Sequence, residues 1–494
     1  MRAFAAILLA LTVVGARATE PATPYDVKQA PWPTWRGPYF NGSAPELGLK
    51  LIDDIGQAPL LWTSDMPIPA AHPGSGGVRG YWCGGYSSPI VAEGRVYVAY
   101  WTPPGRTAYT HTAEDADPKH RVTRRNPVKG RSDLTADDVL HCFDAATGKT
   151  IFRTVVAGKG VMRAESKSGS HLTPCWWAGK VYFSGSAGRI HCLDATTGEV
   201  LWEEGAGTAA GPAKAPPSGV NYAAPVAIDD VVAVPNRSAL IAYDAARGKV
   251  LWRVPAETTV SVATPWRHGS TGYFLCGGKL IEAKTGAVRW SIPRPPGAVA
   301  PLAISGDVLV MPNRGGTWRS RGVTEAEAPQ RSMTAFRITP EKYTQLWQLP
   351  FPSPHGSQFN PAFIHRGNAY GRMYRHPESG DKEEVFVRVA LDSGTAKVLL
   401  TGRKNAISGY SPIAFEGRLL KGNASGVLAV EGTGKSEVGP GAGQAANSTS
   451  CAYADGLLYF RTESNTDARL VCYDLRAAAK RREDGRAAAK GPGR

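Results

Sequence analysis

One turn recurs along this chain and limits what it can fold into. Cys142-Phe143-Asp144-Ala145-Ala146-Thr147-Gly148-Lys149 is followed by Phe152. Cys192-Leu193-Asp194-Ala195-Thr196-Thr197-Gly198-Glu199 is followed by Trp202, and Ala242-Tyr243-Asp244-Ala245-Ala246-Arg247-Gly248-Lys249 by Trp252. A shorter copy, Ala283-Lys284-Thr285-Gly286, precedes Trp290. The pattern reads as a β-hairpin: the Asp side chain caps the turn, Gly takes the positive φ that other residues resist, and the outgoing strand carries a large ring. A sheet made of such hairpins cannot bury both of its faces alone, so the copies must pack on one another.

A second signature opens each unit: a small residue, Pro, an apolar stretch, a turn, then an alternating strand such as Arg95-Val96-Tyr97-Val98 or Lys180-Val181-Tyr182-Phe183. It occurs at Ser88-Pro89, Thr173-Pro174, Ala224-Pro225, Thr264-Pro265, Ala300-Pro301, Asn360-Pro361 and Ser411-Pro412, and without the proline at Ser450-Cys451. Later hairpins are degenerate: Phe336 to Trp347, Val387 to Leu400 with Asp392 and Gly394, and Val427 to Val430. The last unit reaches Leu470-Val471-Cys472-Tyr473-Asp474 and then turns basic, so it lacks a fourth strand. Leu60-Leu61-Trp62 is a spare strand with the Leu-Trp ending of Leu201-Trp202 and Leu251-Trp252. Ring closure by this N-terminal strand is the expectation, since closure removes an exposed sheet edge.

The A-x-D-x-x-T-G-K/E-x-x-W repeat resembles the tryptophan-docking repeat of the pyrroloquinoline-quinone-like (PQQ-like) propellers. Trp32-Pro33-Thr34-Trp35-Arg36-Gly37-Pro38 resembles the W-x-x-W-R-G-P opening of exported bacterial members. More distantly, the chain is similar to the propeller lipoprotein of outer-membrane protein assembly. The resemblance spans about residues 32–475 and implies an all-β fold: a single eight-bladed β-propeller of four-stranded blades. The absence of Trp-Asp strand endings argues against a WD-repeat propeller. The expected organisation is a signal peptide over 1–18, a leader with the ring-closing strand over 19–62, the propeller over 63–475, and a basic tail over 476–494. Insertions at 102–137 and 313–332 interrupt the repeat; the second carries Arg314, Trp318, Arg319 and Arg321. Long excursions on a rigid ring are either binding elements or tolerated insertions.

Composition is globular, with 42% hydrophobic and 20% charged residues, while 56 Gly and 38 Pro fit many short strands joined by turns. Arg2, the apolar run from Ala3 to Val14 and Ala16-Arg17-Ala18 read as an export signal with cleavage before Thr19. That run is too short to span a bilayer, and the expected location is periplasmic or extracellular. The formal net charge is +15, and the tail from Arg476 to Arg494, with seven Lys/Arg against Glu483 and Asp484, is read as a solvated extension. The seven cysteines (Cys83, Cys142, Cys175, Cys192, Cys276, Cys451, Cys472) are odd in number. Three of them share one repeat position, as small buried hydrophobes would.

In a propeller, polar residues just before each first strand gather at one mouth of the central funnel. Here they are Tyr86, His171, Asn221, Tyr222, His355, Gln358, Asn360, Tyr410, Gln444 and Asn447. They form the candidate ligand-binding set, with His171 and His355 foremost. No catalytic residue and no metal site is assigned: there is no G-x-S-x-G, P-loop, H-E-x-x-H, C-x-x-C-H or paired C-x-x-C. The resemblance implies two competing functions. The first is a non-catalytic binding or scaffolding protein, acting as a monomer on a protein, carbohydrate or small-molecule ligand, with no specific nucleic acid and no transmembrane segment. The second is a PQQ-dependent quinoprotein oxidoreductase of sugars or alcohols, with calcium and PQQ as cofactors. The adjacent cysteines of several such enzymes are missing here, and Asp144, Asp194 and Asp244 have turn roles, so PQQ with calcium is not favoured.

Overall fold

The computed structural model describes residues 23–477 except 54, 70–86, 103–104, 106–133, 163–172, 206–223, 237–238, 257–262, 294–301, 314–331, 351–362, 376–382, 402–412, 424–425, 430–443, 446–448 and 464–466. The chain is all-β, a propeller of antiparallel four-stranded blades. Six four-stranded sheets, at 90–162, 175–205, 226–255, 264–291, 303–350 and 363–401, are built from strands consecutive in the chain. A seventh, three-stranded among the described residues, spans 413–429.

The expected count of eight such blades is therefore corrected to seven. The last repeat has no fourth strand of its own. Its strands, among them Ala452–Ala454, Leu457–Glu463 and Leu470–Asp474, share a composite sheet with Leu60–Thr63, which pairs antiparallel with Leu470–Asp474.

First strands stand side by side about the axis: Ala452–Ala454, Ile90–Ala92, Cys175–Trp177, Val226–Ile228, Thr264–His268, Ala303–Ser305 and Phe363–His365 follow one another. Where the residue that opens a unit carries a hydroxyl, as Ser88, Thr173 and Ser450 do, it has a use here. Ser450 N donates to Ser88 Oγ at 2.8 Å, and Ser88 N to Thr173 Oγ1 at 2.9 Å, so adjacent first strands are stitched where strand-to-strand pairing has stopped. Stacked Phe415 and Tyr453, 4.2 Å between centroids, join the seventh sheet to the composite one.

The rings after the turns dock on the next sheet. Trp202 Nε1 donates to Ala245 O at 3.1 Å, Trp252 to Ala283 O at 2.8 Å and Trp347 to Leu391 O at 2.9 Å. Trp62 of the composite sheet does the same to Ala145 O at 3.1 Å, over the first sheet's turn. Each indole buries its face and satisfies its one donor in a single contact. The turn aspartates work as read: Asp144 Oδ1 accepts Thr147 N and Oγ1 at 2.8 Å, and Asp194 and Asp244 repeat the backbone part of this. Two sequence boundaries shift. The first sheet's third strand starts at Leu134, and strands include Asn313 and Ser332, so the stretches between strands are 103–133 and 314–331.

Candidate functional site: the two ends of the ring axis

The leader forms no repeat of its own, yet it reaches the first strand of every sheet. Trp32 exchanges backbone bonds with Val91 (3.1 and 2.8 Å), and Trp176 N donates to Pro33 O at 2.9 Å. Trp35 Nε1 donates to Ser450 Oγ at 3.1 Å, Arg36 Nη1 to Leu302 O at 2.5 Å and Asn41 Nδ2 to Ile304 O at 3.2 Å. Ile364 N donates to Asn41 O at 3.1 Å, and Ala44 and Gly42 bracket Ala414 at 2.8 Å. Against the third and fourth sheets, Thr34, Trp35, Arg36 and Phe40 share a small cavity with Ala224, Pro225, Val226, Ala263 and Thr264. Arg36 is buried, and burial pushes its guanidinium down to about 9. A charge taken out of water is held by oriented carbonyl dipoles.

Strand polarity fixes which end this is. Glu93, in the turn after the first strand of the first sheet, donates its N–H to Gln29 O at 2.7 Å. The equivalent turn of the seventh sheet holds Glu416, whose carboxylate accepts the Leu47 and Leu49 amides at 2.8 and 3.1 Å. The D-x-x-T-G turns lie at this end too, since Ala145 N donates to Gly94 O at 2.9 Å and Ala195 N to Gly179 O at 3.0 Å. Gln29, Leu47 and Leu49 thus lie at the end bearing the first-to-second and third-to-fourth turns, while Trp35 and Arg36 run along the axis to Ser450 and Leu302, which precede first strands.

First strands begin at the opposite end, and the ten sequence-nominated residues precede them in the chain. Tyr86, His171, Asn221, Tyr222, His355, Gln358, Asn360, Tyr410 and Asn447 lie outside the described residues. Gln444 is described in its backbone alone, in a short strand paired with Glu463. Cys83, residues 1–22 and residues 478–494 also fall outside.

Two buried polar clusters escaped the sequence reading. In the first sheet, His141 Nδ1 meets Tyr100 Oη at 3.1 Å and its Nε2 meets Thr150 Oγ1 at 2.9 Å; Thr150 Oγ1 donates to Asp65 at 2.7 Å, and Arg153 Nε donates to Tyr100 Oη at 3.0 Å. Burial, then the Arg153 charge, pushes His141 down to about 3. In the second sheet, His191 lies between Asp138 and Glu203, at 3.5 and 3.6 Å. Burial alone would lower its pKa, but contact with the two carboxylates outweighs this and raises it. The one available signal was that His141 and His191 occupy the same repeat slot, each just before a shared Cys position. Among the described residues no three His, Cys, Asp or Glu are grouped to hold a metal ion. The six described cysteines form no disulfide with one another, and burial pushes Cys175 and Cys192 up to about 12, out of reach of nucleophilic use.

A family model described as outer membrane protein assembly factor BamB matches residues 136–375. Among solved structures, the chain resembles a quinohemoprotein alcohol dehydrogenase from Comamonas testosteroni, at 13% identity over 94% of this chain and 82% of that one, TM-score 0.56. It resembles a europium-containing methanol dehydrogenase at 10% identity over 90% and 98%, also with TM-score 0.56. A quinohemoprotein alcohol dehydrogenase from Pseudomonas putida HK5 aligns at 14% identity over 93% and 83%, TM-score 0.52. No curated protein matches the chain. At these identities the solved structures speak for the fold alone. Among the described residues no helix is long and apolar enough to cross a membrane.

Proposed function

We propose that this chain, whose residues 136–375 match the model of outer membrane protein assembly factor BamB, is an exported, non-catalytic binding or scaffolding propeller of the PQQ-like kind that takes its partner at the end of the ring opposite the D-x-x-T-G turns. One observation carries the reading: the leader caps the end that bears the D-x-x-T-G turns, through Gln29 on Glu93 and Leu47 and Leu49 on Glu416. The described strand ends that border the nominated residues in the chain, and those that border 103–133 and 314–331, lie at the other end. Convergent polar groups at a mouth of a rigid ring make a binding site. The pairing of Leu60–Thr63 with Leu470–Asp474, and the docking of Trp62 on the first sheet, support reading the composite sheet as the ring's closure.

Export rests on the signal pattern at 1–18, and the domain limits at 18, 62 and 475 follow from the same reading. The PQQ-dependent oxidoreductase is the alternative reading, since the fold by itself hosts many functions.

The test places a photo-crosslinking residue at position 86, 171 or 355 in the exported protein, and at exposed Leu47 on the leader end as a control. Crosslinks to one discrete partner from the first three and not from 47 are expected. Crosslinks from 47 alone would overturn the reading. A parallel titration with PQQ and calcium addresses the enzyme alternative: saturable binding, a matching rise in melting temperature and dye-linked oxidation of an alcohol or sugar would replace scaffolding by catalysis.

A further inference from the structure

We propose that Asp138, His191 and Glu203 form a pH-dependent clamp that holds the long outer hairpin of the first sheet against the second sheet. The clamp stands whether or not that end of the ring binds a partner. It would set the position of the strand that begins at Leu134.

The hairpin is unusual for this chain. Its strands, Leu134–Asp144 and Thr150–Met162, have 11 and 13 residues, against six in each of their counterparts Arg189–Asp194 and Val200–Gly205. A bulge between Ala136 and Asp138 marks the overshoot. A bulge re-aims a side chain, and Asp138 is fully buried. Its Oδ1 accepts Ser186 N at 2.9 Å and Ser186 Oγ at 2.7 Å, from the second sheet's turn. Its Oδ2 faces His191 Nε2 at 3.5 Å.

On the far side of the imidazole, Nδ1 is 3.6 Å from Glu203 Oε2. The other Glu203 oxygen holds Lys159 at 3.1 Å, back on the long hairpin, and Arg189 at 3.3 Å. The face of the His191 ring lies 4.8 Å from Phe183. Approach is close enough that a Cβ at Gly160 would come within 2.6 Å of Asp138 Oδ1. The neighbouring Asp137 is turned away, onto the amides of Gly105 and Gly158.

An imidazolium has an N–H on both nitrogens and serves both carboxylates; neutral histidine has one and must abandon the other. The carboxylate left behind is costly where it is buried, and Asp138 is. Contact with His191, working against partial burial, holds Glu203 down at about 2, so it stays charged throughout. The sign follows: a raised His191 pKa makes the clamp fully present below about 6.5 and lost as pH rises through the folded-state value.

The experiment uses the full mature chain. The His191 ring is titrated by NMR, and amide hydrogen exchange of 134–162 is followed from pH 6 to 9 after correction for intrinsic rates. His191 should titrate above about 6.5, and exchange in the hairpin should quicken once it is neutral. His191→Gln should show the faster exchange at both pH values, with sheets three to six unchanged as the folding control. Asp138→Asn keeps the Ser186 partner and should lower the His191 value. Titration of His191 at or below about 6.5, or a pH step that survives in His191→Gln, would overturn the clamp.

Discussion

His141 and His191 occupy the same slot in successive repeats, and both are fully buried, yet their surroundings favour opposite protonation states. The local sequences are nearly the same, Leu140-His141-Cys142-Phe143 and Ile190-His191-Cys192-Leu193. The difference lies in what the fold brings to each ring. His141 meets the hydroxyls of Tyr100 and Thr150, with the cation Arg153 nearby. His191 meets two carboxylates, one of them from the neighbouring sheet.

Acid stability should report His141. Its folded value of about 3 lies below the ordinary 6.5. Between these values the unfolded chain binds the extra proton, so stability rises with pH across the window and is lost as pH falls. The loss from pH 6.5 to 4 is on the order of 3 kcal/mol. His141→Gln, which keeps polar contacts without titrating, should flatten the dependence of the urea midpoint on pH in that range. An unchanged acid limb would show that His141 is protonated without penalty.

Docking should be intolerant of a methyl group at the turn glycine. Gly248 has φ +72°, and a Cβ there would come within 2.6 Å of Trp202 Cδ2 and Cε3. Gly248→Ala combines left-handed backbone strain with overpacking, together about 3 kcal/mol. Thermal melting and the urea midpoint should both fall, without a change in far-ultraviolet circular dichroism at low temperature. A variant within about 0.5 kcal/mol of the parent, the range of an unstrained surface change, would mean that the ring does not sit on this turn.

The leader should behave as part of the fold. Asn41 is fully buried; its amide donates to Ile304 O at 3.2 Å and its carbonyl accepts Ser43 N at 2.9 Å. Asn41→Ala strands both partners, a loss of about 1–3 kcal/mol. Limited proteolysis should then cut within 30–53 before any other site, with the fragment ends read by mass spectrometry. Equal resistance of variant and parent would show that the leader is not held through Asn41.

The repeat made the blade legible because its constraints are local: a capped turn, a glycine at positive φ and a ring at fixed spacing. The small residue before each first strand was visible as a pattern, and Ser450, Ser88 and Thr173 show its use. The leader was read for its spare strand, and Leu60–Thr63 does pair with Leu470–Asp474. Its path along the axis was not legible, because Trp35 acts through a hydroxyl, and Arg36 and Asn41 through carbonyls, hundreds of residues away and with no period. The blade count erred where the last repeat gave up a strand. The buried clusters escaped because Asp138 and His191 meet across two sheets, which no single repeat encodes. Of the ten nominated residues, Gln444 alone is described, in its backbone.

The repeat also contains one suboptimal choice that can be corrected. Ala245 O accepts both Trp202 Nε1 at 3.1 Å and the Tyr182 hydroxyl at 2.9 Å, filling both lone pairs. The equivalent Ala195 O accepts the Tyr97 hydroxyl at 2.8 Å, but the docking ring there is Phe152, which has no donor to offer. Phe152 already lies over Gly198, as the tryptophans lie over their glycines. Phe152→Trp should therefore adopt the pose of Trp202 and add one hydrogen bond, a gain of about 1 kcal/mol. The midpoint of urea unfolding should rise while its slope stays constant, since the exposed area scarcely changes. Pairing the change with Tyr97→Phe gives the decisive comparison. If both donors serve one carbonyl, the tryptophan should recover most of the stability that the lost hydroxyl removes. If it recovers none, the indole does not reach Ala195, and the first sheet docks by ring packing alone.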